Sequence, residues 1–286
     1  MIVNYWPKWF RALYGGTWPK TYCCVDIETT GYSPADDVIT EWGHCLVEDG
    51  EIVDQLGLVV DWTGRTTPPD YWIANKLERL RKGFELQGKT SHMSYERMKD
   101  EGMPPDEAFA FIKEFTDRLK ARNMPFVLHN YNFDEKMLSA NFLQFTKCKG
   151  FTFGDVLIDT ECVEKATQLP ENERCHPKKN DSLRDYFHRV RYTRVTGVKS
   201  NLDDHCFTKY KFSERGLDQQ SMHGAKADAF CCHLLMESFS KLITEVQPPP
   251  IYPTADTKES RKTNPRLVLP AAKTTVRKRV RGQRNS

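Results

Sequence analysis

The chain has 286 residues, with 42 Lys and Arg against 39 Asp and Glu and a net charge of +3. That length holds one sizeable domain with additions, and no stretch approaches the roughly 18 consecutive apolar residues of a membrane span, so no membrane partner is expected. The near-neutral total conceals an asymmetry: residues 247–286 carry ten Lys and Arg and two Asp and Glu, a net of +8, and the remainder nets −5.

The start, Met1-Ile2-Val3-Asn4-Tyr5-Trp6-Pro7-Lys8, lacks the charged-then-apolar pattern of a secretory signal. An intracellular, cytoplasmic protein is therefore expected. Nine cysteines form an odd set without framework spacing, and Cys23, Cys24, Cys231 and Cys232 fall inside apolar runs, which reads as reduced, buried thiols. Cys162, Cys175, His176, His205 and Cys206 match no ordinary zinc-ligand spacing.

In chain order, residues 1–20 form an aromatic, Pro-containing extension (Trp6, Trp9, Phe10, Trp18) expected to pack on a domain spanning 21–246. Strands are expected near 22–28, 38–47 and 52–60 as an antiparallel meander, with the acidic turn Glu48-Asp49-Gly50-Glu51 joining the second and third. A helix over 69–86 would align Ile73, Leu77, Leu80 and Phe84, and one over 105–122 would align Ala108, Phe111, Phe115 and Leu119. Strands near 126–129 and 155–159 follow, with a helix between them entered through Asp134 and carrying Met137, Leu138, Phe142 and Phe145. A helix around Ser182–Tyr186 and a last one holding Phe230, Leu234, Leu235 and Phe239 complete the domain. No internal repeat is visible.

The chemistry concentrates at three junctions. In Tyr22-Cys23-Cys24-Val25-Asp26-Ile27-Glu28, a strand would point Asp26 and Glu28 to one face and Val25 and Ile27 to the other. Two like charges buried side by side are costly unless a cation lies between them, and a hard divalent ion with oxygen ligands meets that need. A strand edge that merely shows two acids to solvent is the plainer alternative. The run His129-Asn130-Tyr131-Asn132-Phe133-Asp134 places a second acid group after a short strand, and His223-Gly224-Ala225-Lys226-Ala227-Asp228 places a third at a helix start.

These blocks, Asp26-x-Glu28-Thr29-Thr30-Gly31, His129-Asn130-x-x-Phe133-Asp134 and His223-x-x-x-x-Asp228, resemble the DEDD superfamily of 3′–5′ exonucleases over roughly Tyr22 to Val246. The histidine of the third block points to the DEDDh branch, which includes the DNA polymerase III epsilon proofreading subunit, ribonuclease T and oligoribonuclease. The resemblance implies an α/β, ribonuclease H-like fold, a mixed five-stranded sheet flanked by helices. It also implies two Mg²⁺ or Mn²⁺ ions working together on a phosphodiester. Asp26 would bridge both ions, Glu28 and Asp228 would hold one, and Asp134 would hold the other largely through water.

His223 would serve as general base, a role that suits imidazole. Five residues of helix turn through about 500°, so His223 and Asp228 could not share a helical face. His223 must sit on the loop before the helix, with Gly224 easing the turn. A tyrosine at position 224 would mark the sister branch. The backbone of Thr29, Thr30 and Gly31 would line the pocket for the terminal nucleotide, Asn130 would order the loop that carries Asp134, and His92 would approach the scissile nucleotide. Phe133 would either stack on a base or pack in the core.

The implied activity is a metal-dependent 3′–5′ exonuclease releasing nucleoside 5′-monophosphates. The Glu-Thr-Thr-Gly continuation is more similar to the epsilon type, which makes single-stranded or frayed DNA the first substrate and proofreading or end trimming the first role. An RNA-trimming exonuclease is the alternative, and an inactive nuclease fold serving as a binding module is a third reading.

Two regions depart from the compact family pattern. An insertion of about 189–218 interleaves Arg189, Arg191, Arg194, Lys199, Lys209, Lys211 and Arg215 with Tyr192, Phe207, Tyr210 and Phe212. It reads either as a surface for single-stranded nucleic acid or as a charged solvated loop. From Gln247 the chain runs through Pro248-Pro249-Pro250 into a basic segment expected to be a disordered tail. Lys278, Arg279, Arg281 and Arg284 would add affinity for nucleic acid by counterion release, and Leu267-Val268-Leu269-Pro270 is a short candidate for docking a DNA polymerase or sliding clamp. Truncation after residue 246 should leave hydrolysis of short oligonucleotides intact and weaken binding of longer ones in a filter-binding assay. Equal binding by both forms counts against the tail.

Overall fold

The computed structural model describes residues 18–35, 37–64, 93–145, 150–169, 172–176, 178, 181–193, 201–202, 204–215 and 224–244. All lie in the first of the chain's two units, Met1–Ile251. The expected helix over 69–86, His92, His223 and the tail lie outside the described residues.

The first three strands are β1 (Tyr22–Thr29), β2 (Ile39–Glu48) and β3 (Glu51–Val59), paired antiparallel as a meander. The β2–β3 turn works because Asp49 and Gly50 both take positive φ, 54° and 92°, the pair of dihedrals a two-residue hairpin requires. β4 (Phe126–Leu128) and β5 (Leu157–Asp159) add parallel strands beside β1, giving the order β3-β2-β1-β4-β5. This is the mixed five-stranded sheet expected.

The described helices are α1 (Tyr95–Glu101), α2 (Pro105–Ala121), α3 (Tyr131–Phe145), α4 (Thr160–Gln168), α5 (Leu183–Arg191) and α6 (Ala225–Thr244). α2 starts on Pro105, whose missing N–H costs nothing at a helix start. Its buried face runs through Ala108, Phe109, Ile112, Phe115, Thr116 and Leu119. Phe111, expected on that stripe, is half-buried at its margin and stacks on Phe115 with ring centroids 6.2 Å apart. Phe115 stacks on the His44 ring with centroids 4.1 Å apart. Two helices begin or end otherwise than expected: α3 begins three residues before Asp134, and α5 runs past Tyr186 to Arg191.

α6 covers the opposite face, across β1 and β2. Tyr22 shares a 3.0 Å hydrogen bond with His233, and Trp18 meets Phe239 edge-on at 6.0 Å. The eight described cysteines are free and buried, as expected of core thiols.

The approach of α6 depends on two glycines. Asp26 on β1 pairs with Gly43 on β2, which pairs with Gly57 on β3. A Cβ on Gly43 would lie 2.0 Å from the Ala225 carbonyl, and one on Gly57 would lie 3.1 Å from the Lys226 Cβ. The start of α6 is thereby seated on bare backbone beside Asp26, which delivers Asp228 to the same place. Gly43→Ala should destabilise the fold by about 3 kcal/mol in urea unfolding, because neither backbone can yield. Unchanged stability would show that α6 is not held this way.

Candidate metal centre

Asp26 and Glu28 stand two residues apart on β1 and share the α6 face, while Val25 and Ile27 are buried on the α2 side. Asp228 lies in the first turn of α6 and is 9% exposed. One carboxylate oxygen from each of Asp26, Glu28 and Asp228 falls within 4.8 Å of the others. Among the described residues, this is the group of acid, His or Cys side chains close enough to share an ion. The zinc set considered above, Cys162, Cys175, His176, His205 and Cys206, forms no such group.

Asp134 stands on the first turn of α3, outside that trio but near enough for its charge to act on both Asp26 and Glu28. It is 3% exposed, and its Oδ2 has no hydrogen-bond partner among the described residues. α3 begins where Asn130 takes φ 80°, a left-handed conformation that asparagine tolerates better than most residues. Asn130 O then accepts from Phe133 N at 2.9 Å. Asn130 thus turns the chain from β4 into the helix of Asp134.

Burial, and then the charges of Asp228, Asp134 and Glu28, hold the Asp26 carboxyl well above the usual range. Glu28 is pushed up to about 9 by burial and by Asp228, Glu41 and Asp134. A shift of that size represents several kcal/mol of unfavourable charge burial. All-oxygen donors, mutual repulsion and an orphaned Asp134 oxygen fit a hard divalent cation. Asp26, Glu28 and Asp228 could hold one.

The residues after Glu28 form a latch. Thr30 is 2% exposed, and its hydroxyl donates to Asp37 at 2.8 Å and accepts from Val38 N at 3.0 Å. Thr29 donates to Gly31 O at 2.7 Å. A Cβ on Gly31 would lie 2.7 Å from the Asp37 carboxylate, so the turn closes only around glycine. Both threonine side chains are engaged inside the loop. Phe133 packs partly on the core, its ring 6.2 Å from that of Tyr32, which is 74% exposed.

No protein-family model matches the chain. Over 146 residues, 51% of the chain, it is 29% identical to the PolC-type DNA polymerase III of Thermotoga petrophila, of which the match covers 9%. In structure it is similar to E. coli exonuclease I in a zinc-bound complex with single-stranded DNA, with TM-score 0.50, 13% identity, and coverage of 79% of this chain and 42% of that one. The likeness is one of fold. Exonuclease I in complex with a dA16 oligonucleotide gives TM-score 0.49 and 14% identity at the same coverage. The chain spans under half the length of the exonuclease I chains and a small part of the polymerase.

Several residues around this site were not singled out in the sequence. Glu41 lies directly across from Glu28, is 4% exposed and accepts from Arg97 at 3.0 and 3.4 Å. Asp159, at the end of β5, is fully buried and paired with Arg191. The pattern -Thr-Glu- inside an apolar strand could have flagged Glu41; nothing local distinguishes Asp159.

Several of the inserted segment's described polar side chains are engaged within the domain. Arg189 donates to Asp181 at 2.7 Å, Lys209 pairs with the buried Glu164, Tyr210 donates to Glu164 at 2.8 Å, and Phe212 is 1% exposed. These side chains stitch the segment to the domain. Of the set, Tyr192, Lys209 and Lys211 are exposed among the described residues.

The raised carboxyls set a pH dependence. Without a cation, folded Glu28 keeps its proton up to about 9 whereas an unfolded glutamate loses it at its ordinary 4.5. The folded state holds more protons throughout that window, so its stability falls as pH rises. A divalent cation competes with those protons and should raise the melting temperature more at about pH 9 than at about pH 5. Melts in chelator and in Mn²⁺ across that range check this. A cation effect that shrinks with pH contradicts it.

Proposed function

We propose that the protein is a metal-dependent 3′–5′ exonuclease that releases nucleoside 5′-monophosphates from single-stranded or frayed DNA, in proofreading or end trimming. The observation that supports it most is the convergence of Asp26, Glu28 and Asp228 within 4.8 Å on a fold similar to that of exonuclease I. The similarity to a DNA polymerase III and the single-stranded DNA bound by exonuclease I favour DNA over RNA.

Two Mg²⁺ or Mn²⁺ ions, when bound, neutralise charge developing on the phosphoryl oxygens and acidify water. Asp26, central among the acids, would serve both, with Glu28 and Asp228 on one side and Asp134 on the other. His223 precedes Gly224, which opens α6, and is assigned to remove the proton of the attacking water. Because the hydroxyls of Thr29 and Thr30 are spent within their loop, a terminal nucleotide would meet the backbone there. Tyr32 and Phe133 offer an exposed and a half-buried ring for stacking, which is indifferent to base identity.

Digestion of matched DNA and RNA oligomers, labelled at either end, tests this with Mg²⁺, Mn²⁺ or chelator present. A 5′-labelled DNA strand should shorten stepwise, a 3′ label should leave at once as a mononucleotide, and chelator should stop both. Asp26→Ala should lower the rate by at least about 10³-fold in a soluble, folded protein. Faster RNA digestion transfers the assignment to the RNA-trimming alternative, and turnover by the Asp26 variant overturns it.

A further inference from the structure

Asp134 has no hydrogen bond of its own at Oδ2, yet the helical turn beneath it is braced on both sides. The braces come from α5, whose Arg184 and Arg191 are seven residues apart and so share a face. Arg184 donates to both oxygens of Glu135, the residue after Asp134, at 2.7 and 3.1 Å, and to Gly154 O at 2.6 Å. Arg191 donates to Glu161 at 2.5 Å and to Asp159. Asp159, in turn, accepts from Tyr131 N, the first amide of α3, at 3.2 Å and from Cys162 N at 3.0 Å. The Tyr131 ring lies between the two guanidiniums, 5.6 Å from Arg184 and 6.0 Å from Arg191.

Five charged side chains thus converge on one turn of helix, and Asp159 among them has no solvent exposure. Apolar residues of similar volume would hold two helices together at least as well as buried ion pairs do. What ion pairs and bidentate arginines add is geometry: they fix an angle and a register, not merely a contact. The group whose place they fix is a carboxylate with an unfilled oxygen beside the acid trio.

We propose that Arg191, acting through Asp159, and Arg184, acting through Glu135, are positioning residues that set where Asp134 presents its carboxylate to a divalent cation. The proposal rests on the reading of the acids as a cation cage. Arg191, within the inserted region, then serves the site from behind instead of gripping substrate.

Mn²⁺ binding to the full chain, followed by electron paramagnetic resonance without substrate, tests it in the wild type, D134N, R191M, R184Q and D134N/R191M. In the wild type two ions are expected. D134N, R191M and R184Q should each weaken the looser ion by about tenfold or more, the usual effect of groups that orient metal ligands. The tighter ion should stay within about threefold, and R191M should add little to D134N, since both act on one group. Hydrolysis by R191M should recover at high Mn²⁺, with the half-saturating concentration raised and kcat near wild type. If R191M does not fold, R184Q carries the test, since 30% of the Arg184 side chain is exposed. Wild-type Mn²⁺ affinity in both arginine variants, or fully additive losses in the double variant, overturns the positioning role alone. A wild type that binds no Mn²⁺ overturns the cage and this inference with it.

Discussion

Repulsion among carboxylates is the constraint around which this fold is organised. Asp26, Glu28 and Asp228 share a space of a few ångströms with Asp134 close behind, and each is held above its ordinary range or largely buried. In isolation such a group would fly apart or stay protonated. It persists because each acid sits on an element that is packed elsewhere: β1 inside the sheet, α6 seated on Gly43 and Gly57, and α3 tied to α5. The stability of the surrounding core is what allows the site to be electrostatically unfavourable.

The same logic explains the distribution of positive charge. Cations placed among the four acids would satisfy them and abolish affinity for a metal. The structure instead sets its arginines one layer out, where Arg97 meets Glu41 and Arg191 meets Asp159. Each of these arginines neutralises an acid outside the trio. Arg191 still acts on Asp134 at a distance, partly offsetting Asp159.

The sheet and the trio were legible because their signals are local. Alternation along Val25-Asp26-Ile27-Glu28 sets a face, Asp49-Gly50 sets a hairpin, and a short apolar run before His129-Asn130 sets a strand end. The three blocks in order carried the superfamily resemblance. Arg184 and Arg191 of α5 and the Lys209–Glu164 pair were not legible, since their partners lie 30 or more residues away and a buried cation has the same letter as a solvated one. The stripe on α2 was legible in Ala108, Phe115 and Leu119, while Phe109 and Ile112, buried beside it, were not, since helical spacing offers two adjacent stripes.

Anomalous scattering from crystals soaked in Mn²⁺ addresses the central claim most directly. A peak within coordination distance of the carboxylates of Asp26, Glu28 and Asp228, with a second on the Asp134 side, is the expected result. Crystals with manganese bound elsewhere and none among these acids would contradict it.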